Sequence, residues 1–269
     1  MKAIKILLIV TLAVVTCLFG WSTVGERLSG ENVGPSISTD GTTLEVSVKD
    51  GEEALLAGVT ASDAQDGDLT GRILVQGVSK LITADTAKVS YLVFDSDGNA
   101  ASTTRFIRYT DYRQPRFSVK EPLIYTMNES ITLLDRIAVT DVIDGDITES
   151  VRVSALSGTS DSEVYTVSLQ VTNSMGDTAR VTVPVILLEG TASRPTVTLS
   201  SYLVYLDQGA SFSSASYLRS VTTPAGLGDT SKVEISGQVD TATPGTYMVY
   251  YRYPYNGTTG LAVLTVVVE

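Results

Sequence analysis

One twelve-residue stretch occurs twice, and it limits the folds open to this chain more than any other feature. Val59-Thr60-Ala61-Ser62-Asp63-Ala64-Gln65-Asp66-Gly67-Asp68-Leu69-Thr70 returns as Ile137-Ala138-Val139-Thr140-Asp141-Val142-Ile143-Asp144-Gly145-Asp146-Ile147-Thr148. In both copies an apolar alternation runs into Asp, two spacers, Asp-Gly-Asp, an aliphatic residue and Thr. Alternation at every second residue describes a strand with one buried face. Asp-Gly is a strong turn former, because Gly accepts positive φ without steric cost. The stretch therefore ends one strand and launches the next, and its long period marks tandem copies of a whole domain.

Other landmarks recur with a similar period. Pro35, Pro115 and Pro195 each precede a strand. Later in each repeat Ala87, Tyr165 and Tyr247 share a column, as do Val89, Val167 and Val249. Tyr91, Leu169 and Tyr251 follow, then Val93, Val171 and Tyr253. Steps of two keep one face of a strand buried, so these columns are the inward row of a core strand. The row leads into Asp95-Ser96-Asp97-Gly98-Asn99 in the first copy and Asn173-Ser174-Met175-Gly176-Asp177 in the second. A shorter version surrounds Asn256-Gly257 in the third. Each reads as a hairpin turn opened by an Asx residue and completed by Gly.

Strands are expected at Thr43–Val48, Gly58–Ser62, Arg72–Val75, Lys88–Phe94 and Ser102–Tyr109, with no convincing helical period after Gly34. Short strands at this spacing predict β-sandwiches rather than one large barrel. The chain is expected to be all-β, with three tandem sandwiches after an N-terminal apolar helix. Residues 1–30 form a signal or anchor segment and linker, and the domains span 31–112, 113–190 and 191–269. The joints near Tyr112–Gln114 and Gly190–Arg194 are too short to be flexible tethers, which suggests a semi-rigid array.

Composition removes several functions. Thirty acidic residues against 19 basic ones, with no compact basic patch, argue against a nucleic-acid partner. Histidine is absent and Cys17 is the only cysteine. That excludes Ser-His and Cys-His catalysis, the usual zinc sites and an intramolecular disulfide. Lys2 and Lys5 precede an apolar run from Ile6 to Trp21, followed by a polar stretch, which is the pattern of an export signal. The run is slightly long for a cleaved signal and slightly short for a spanning helix. A retained anchor with its positive end in the cytoplasm is the favoured reading, and secretion after cleavage is the other. Both put the repeats outside the cell. No sortase-type tail is seen, so anchoring is expected from the N-terminal segment, with the third domain farthest from the membrane.

The motif Asp-x-x-Asp-Gly-Asp-(Leu/Ile)-Thr, the alternating Val/Tyr strand, Asp-x-x-Gly-Asn, and Pro244-Gly245-Thr246-Tyr247 together resemble bacterial immunoglobulin-like domains. The likeness is to the group related to pesticidal crystal proteins and hyalin repeats. It covers nearly all of 35–269. The first copy departs from it at Ala87, where the group has Tyr, and the third at Gly226-Leu227-Gly228-Asp229, where the Asp-Gly-Asp turn is lost. The resemblance implies tandem surface or secreted modules, which serve as spacers, adhesins and accessory domains alike.

Two constellations follow. Asp63, Asp66 and Asp68, with Asp141, Asp144 and Asp146, could offer hard oxygen ligands to Ca²⁺, although the spacing is not that of an EF-hand. They could equally accept backbone N–H bonds in tight turns. Nothing around them implies the cleft and shifted pKa that acid–base catalysis needs. The tyrosines are concentrated, with eight of thirteen in the third repeat. Tyr247, Tyr251, Tyr253 and Tyr255 share the inward phase, and Tyr247 could anchor a loop as a tyrosine corner. Tyr250 alternates outward beside Met248 and Arg252, so Tyr250 and Arg252 are the candidate partner-binding residues. The expected function is a non-enzymatic extracellular surface protein, an Ig-like stalk or adhesion module meeting a protein or glycan partner. A carbohydrate-binding or accessory module of a larger surface assembly is the alternative.

Overall fold

The computed structural model describes residues 34–269 apart from 42, 128, 159–162 and 190–192. The N-terminal apolar segment, and part of the joint expected at 190–194, lie outside the described residues. Among the described residues no helix is long and apolar enough to cross a membrane.

The described chain is all-β, as the alternation requires. The first repeat holds β1 (Ser36–Thr39), β2 (Leu44–Val46), β3 (Val59–Asp63), β4 (Gly67–Asp68), β5 (Leu74–Val78), β6 (Thr86–Phe94) and β7 (Ala100–Tyr109). The second holds β8 (Arg116–Val119), β9 (Ile124–Thr126), β10 (Ile137–Asp141), β11 (Gly145–Asp146), β12 (Arg152–Ser157), β13 (Val164–Thr172) and β14 (Thr178–Leu188). The third holds β15 (Thr196–Leu199), β16 (Leu203–Leu206), β17 (Leu218–Thr223), β18 (Gly226–Leu227), β19 (Glu234–Ser236), β20 (Gly245–Tyr255) and β21 (Thr258–Val268).

Each set divides in the same way into a three-stranded and a four-stranded sheet. The orders are β1-β3-β4 with β2-β7-β6-β5, then β11-β10-β8 with β12-β13-β14-β9, then β15-β17-β18 with β16-β21-β20-β19. These are Ig-like β-sandwiches in tandem. The opening segment of each repeat is split between the sheets. Its first part pairs antiparallel with the strand that carries the repeated motif, as in Ile37↔Ala61, Val139↔Phe117 and Val197↔Val221. Its second part joins the other sheet, running parallel to β14 and β21 in the later repeats.

The repeats group into two compact units. One holds most of the first sandwich, through Val46 and over Asp50–Ser79 and Ala87–Arg108, and the second and third sandwiches make up nearly all of the other. In the first unit Val59, Ala61, Ala87, Val89, Tyr91, Val93 and Ile107 are buried. In the second unit each sandwich has its own cluster: Phe117, Ile137, Val139, Leu169 and Val181 in one, and Val197, Val221, Val249, Tyr251 and Leu264 in the other. The inward row expected from the columns is therefore the core row. Each large apolar side chain buried there contributes about 1.5–3 kcal/mol.

Two details differ from expectation. The strand placed at 72–75 begins only at Leu74, because Thr70–Arg72 winds into one 3₁₀ turn. Asp68 causes this by accepting the Thr70 N–H at 2.9 Å, which curls the chain before it can extend. Two single-turn helices, α1 (Glu52–Leu55) and α2 (Leu133–Arg136), also precede β3 and β10. One turn is too short to show a period in sequence.

Candidate functional site

In the first copy of the motif Asp63 Oδ1 accepts the N–H groups of Gln65 (2.7 Å) and Asp66 (3.0 Å), the Asx-turn pattern. Gly67 follows at φ 75°, the left-handed conformation the turn needs. Asp66 reaches across to the loop between β6 and β7. It accepts the backbone N–H of Ser96 at 2.6 Å and its hydroxyl at 2.7 Å. Asp68 then caps the 3₁₀ turn. The second copy repeats all three roles. Asp141 takes Ile143 and Asp144, Asp144 takes Ser174 twice, and Asp146 takes the N–H and hydroxyl of Thr148.

These bonds stabilise the charged forms. The Ser96 hydroxyl and N–H hold Asp66 below the usual carboxylate range, and those of Thr70 and Thr148 do the same for Asp68 and Asp146. The six carboxylates thus serve as turn acceptors. Among the described residues no three carboxylates or thiols gather into a metal-ligating group. The Asp-to-Ser clamp was missed in the sequence, although Ser96 and Ser174 sit in the same column of the repeats.

The third repeat keeps the turn with altered chemistry. Thr223, in the column of Asp63 and Asp141, accepts the Ala225 N–H and donates to the Gly226 carbonyl. Asp229 retains the capping role, bonding the N–H and hydroxyl of Ser231. The last hairpin closes on Asn256 (φ 46°) and Gly257 (φ 79°), a two-residue turn with both φ positive.

Asp141 is 6% exposed and its second oxygen accepts the Asn173 amide at 3.1 Å. The same amide donates to the Tyr112 hydroxyl, which in turn donates to Asp177 at 2.7 Å. Tyr112 is raised well above its ordinary value, first by burial and then by its bond to Asp177. The residue expected to mark a joint is therefore fixed to the second sandwich by a buried polar chain.

Within the second unit the outer faces of the two sandwiches share a small core. Ile186, Leu188 and Val263 are 3%, 7% and 4% exposed, and Ile124, Met248, Tyr250 and Leu261 pack around them. Tyr250 does point away from its own sandwich, as the alternation requires. Its ring, however, is half-buried against this shared core. Arg252 is exposed, lies 5.0 Å from the Tyr250 ring and donates to the Ser236 hydroxyl at 2.9 Å. The two candidates thus meet each other at the edge of a seam. Val185-Ile186-Leu187-Leu188 and Leu261–Val268 carried the signal, since near-continuous apolar runs mean burial on both faces. Farther along the same unit Arg116 pairs with Glu269 and lies 4.5 Å from the Tyr205 ring, while the Phe117 N–H donates to the Tyr205 hydroxyl at 3.1 Å.

The inward tyrosines behave as their phase predicts. Tyr251 is fully buried, Tyr253 nearly so, and Tyr247 donates to the Thr243 carbonyl at 2.8 Å, closing the expected loop anchor. Tyr251 donates to the Ser214 carbonyl at 2.7 Å, and burial pushes it up to about 12. Tyr91 donates likewise to Leu55, and Tyr125 to Thr132, so in every repeat one hydroxyl holds the turn before the motif strand. In the first repeat this device includes a buried arginine. Arg105 bonds the Leu55 carbonyl at 2.8 Å and the Tyr91 hydroxyl at 3.0 Å, with Asp40 at 3.4 Å.

The second unit carries several concavities, of which two are the largest described. An apolar groove of about 330 Å³ opens beside the edge strand β12, between Ile131, Leu133, Val153, Leu156, Tyr165 and Leu187. A polar cleft of about 500 Å³ is lined by Arg113, Arg116, Arg180, Tyr205, Asp207 and Glu269, among others.

Compared with protein-family models and with curated proteins, the chain matches none. Among solved structures it is similar to the second CBM51 domain with INT domains of Clostridium perfringens ZmpB, in complex with GlcNAc. That match has 16% identity and a TM-score of 0.24, over 50% of this chain and 31% of that one. It is also similar to the M60 catalytic domain with both CBM51 domains of the same protein, at 14% identity and TM-score 0.25, over 87% and 30%. The protocadherin GammaB4 extracellular domain matches at 11% identity and TM-score 0.23, over 89% and 52%. The chain thus spans about a third of the first two structures and half of the third. Likenesses this distant decide nothing about function, and the assignment of Ig-like sandwiches rests on the chain's own sheets.

Proposed function

We propose that this chain is a non-enzymatic surface module of the bacterial Ig-like kind, displayed outside the membrane behind its N-terminal segment. The observation that supports this is how the polar residues of the repeats are used. The motif carboxylates, the paired serines and the core tyrosines are bonded to backbone or to one another, as a scaffold requires. The sandwiches build a platform, and recognition is left to their surfaces. Tyr250 and Arg252 belong to this proposal as the rim of the seam, where Arg252 is open to a partner.

Calcium is the competing reading of the Asp turns. Both oxygens of Asp66, Asp141 and Asp144 and one oxygen each of Asp63, Asp68 and Asp146 already accept N–H or O–H donors, while Asp63 Oδ2 is buried without a hydrogen-bond partner among the described residues. For the surface role, cells expressing the full chain are treated with external protease. Loss of the repeats from intact cells, together with weaker cell or glycan attachment when the gene is removed, is the expected result. Full protection from protease would end the proposal. The carbohydrate-binding alternative is favoured by one feature, the polar cleft of the second unit.

A further inference from the structure

The polar cleft differs from the rest of this surface in its charge. In a chain of net charge −11 its lining includes three arginines, with two carboxylates among them. Arg116 is neutralised by Glu269 and stacked on Tyr205. Arg113 and Arg180 are exposed, and neither belongs to an ion pair among the described residues. Arg180 is oriented by the bond from its Nε to Gln170 at 3.1 Å, which leaves its terminal N–H groups for a ligand. Tyr205 accepts the Phe117 N–H, and its own proton is free to be donated at the same time. Burial raises Tyr205 above its ordinary value, which keeps that proton in place.

We propose that this cleft binds a carboxylated saccharide, a uronate-bearing glycan. A planar carboxylate matches the guanidinium fork with two parallel hydrogen bonds. Asp207 and Glu269 accept sugar hydroxyls, and Tyr205 donates to a sugar oxygen. The two carboxylates also repel polyanions, which disfavours nucleic acid and polyphosphate. The volume, about 500 Å³, falls in the range of small-molecule sites and takes a few sugar rings. Pro115, Ala179 and Val267 complete a lining that is more polar than apolar, which favours a polar ligand with some apolar faces, as a sugar ring has. The inference deepens the surface reading above and rests on it, since such a glycan is met outside the cell.

The test is isothermal titration of the full chain in detergent micelles with trigalacturonate. The controls are its methyl ester, inorganic phosphate and an acidic tripeptide. Trigalacturonate is expected to bind, and esterification to weaken it at least about tenfold, the loss of one charge-assisted contact of roughly 1.4 kcal/mol. Arg113→Gln and Arg180→Gln are each expected to weaken it about as much. Arg252→Gln, which lies outside the cleft, is expected to leave it unchanged. Because Arg113 and Arg180 are exposed, an unchanged melting temperature separates lost binding from lost fold. Equal binding of acid and ester, or insensitivity to both substitutions, overturns the proposal. Phosphate or the tripeptide binding as tightly as the uronate overturns the saccharide assignment. Protease treatment of intact cells reads the surface location separately, so failure of one is distinguishable from failure of the other.

Discussion

The second and third sandwiches share a topology and a compact unit, yet they are held closed by different chemistry. The second uses buried polar groups. Asp141, Asn173, Tyr112 and Asp177 form one hydrogen-bonded chain, and Asp144 clamps the turn before β14 through Ser174. The third has lost the clamp and uses rings. Tyr251 and Tyr253 fill the centre, while Phe212 and Tyr217 stack at 5.6 Å and pack with Tyr247 on the same core. The equivalent flank of the second sandwich is the open apolar groove beside β12. Register and turn geometry are shared; the means of closure is not. The first two sandwiches tie the last hairpin to the turn of the motif strand through a carboxylate, and the third is closed by its aromatic core instead.

The contrast can be broken at its aromatic side first. Tyr251→Ala is expected to cost about 3–5 kcal/mol in urea unfolding, the range for an excised core aromatic. Tyr251→Phe, which removes only the bond to Ser214, should cost about 1 kcal/mol. A Tyr251→Ala loss below that of Tyr251→Phe would mean that the ring is not what closes the sandwich. On the polar side Asp141→Ala strands three donors and should cost about 2–3 kcal/mol, against about 1 kcal/mol for Thr223→Ala at the matching position. Equal losses would erase the difference between the two turns.

Titration sharpens the comparison further. Tyr251 ionises later when folded than its ordinary value of 10.0, so its contribution is complete below pH 10 and is lost as pH rises toward about 12. Asp146 and Asp229 are lowered in the folded state, so their contributions hold above the usual carboxylate range and fade as pH falls through it. Melting temperature measured from pH 7 outward should therefore fall at both extremes, and Tyr251→Phe should reduce the alkaline fall. The smallest expected effect is that of millimolar Ca²⁺, which should leave the melting temperature unmoved. A rise that Asp66→Asn and Asp144→Asn abolish would return the turns to the metal reading.

Much of this architecture was legible in the sequence because it is periodic. The column from Val89 to Tyr253, the Asp-Gly turns and the hairpin loops each obey a local rule that a strand or turn imposes on its own residues. Tyr247 was legible for the same reason, since its partner Thr243 is four residues away. What stayed hidden depends on contacts between distant segments. The bond between Asp66 and Ser96 spans 30 residues, and that between Asp141 and Asn173 spans 32. The place of Tyr250 depends on Ile186 and Leu188 from another repeat, so period could give its direction but not what it faces. The cleft was invisible for the same reason, because Arg113, Arg180 and Asp207 share no pattern along the chain.

The split opening segment has a mechanical meaning. In the third sandwich β16 runs parallel to β21 over Leu203↔Thr265 to Leu206↔Val268. Tension applied to the two ends of that domain pulls these neighbours in opposite directions along their length. Every rung of the ladder is then strained together, and none can open ahead of the others. The second sandwich has the same arrangement where β9 lies beside β14. A tandem protein pulled from its two ends is loaded in that direction, and these short parallel ladders resist by sharing the load.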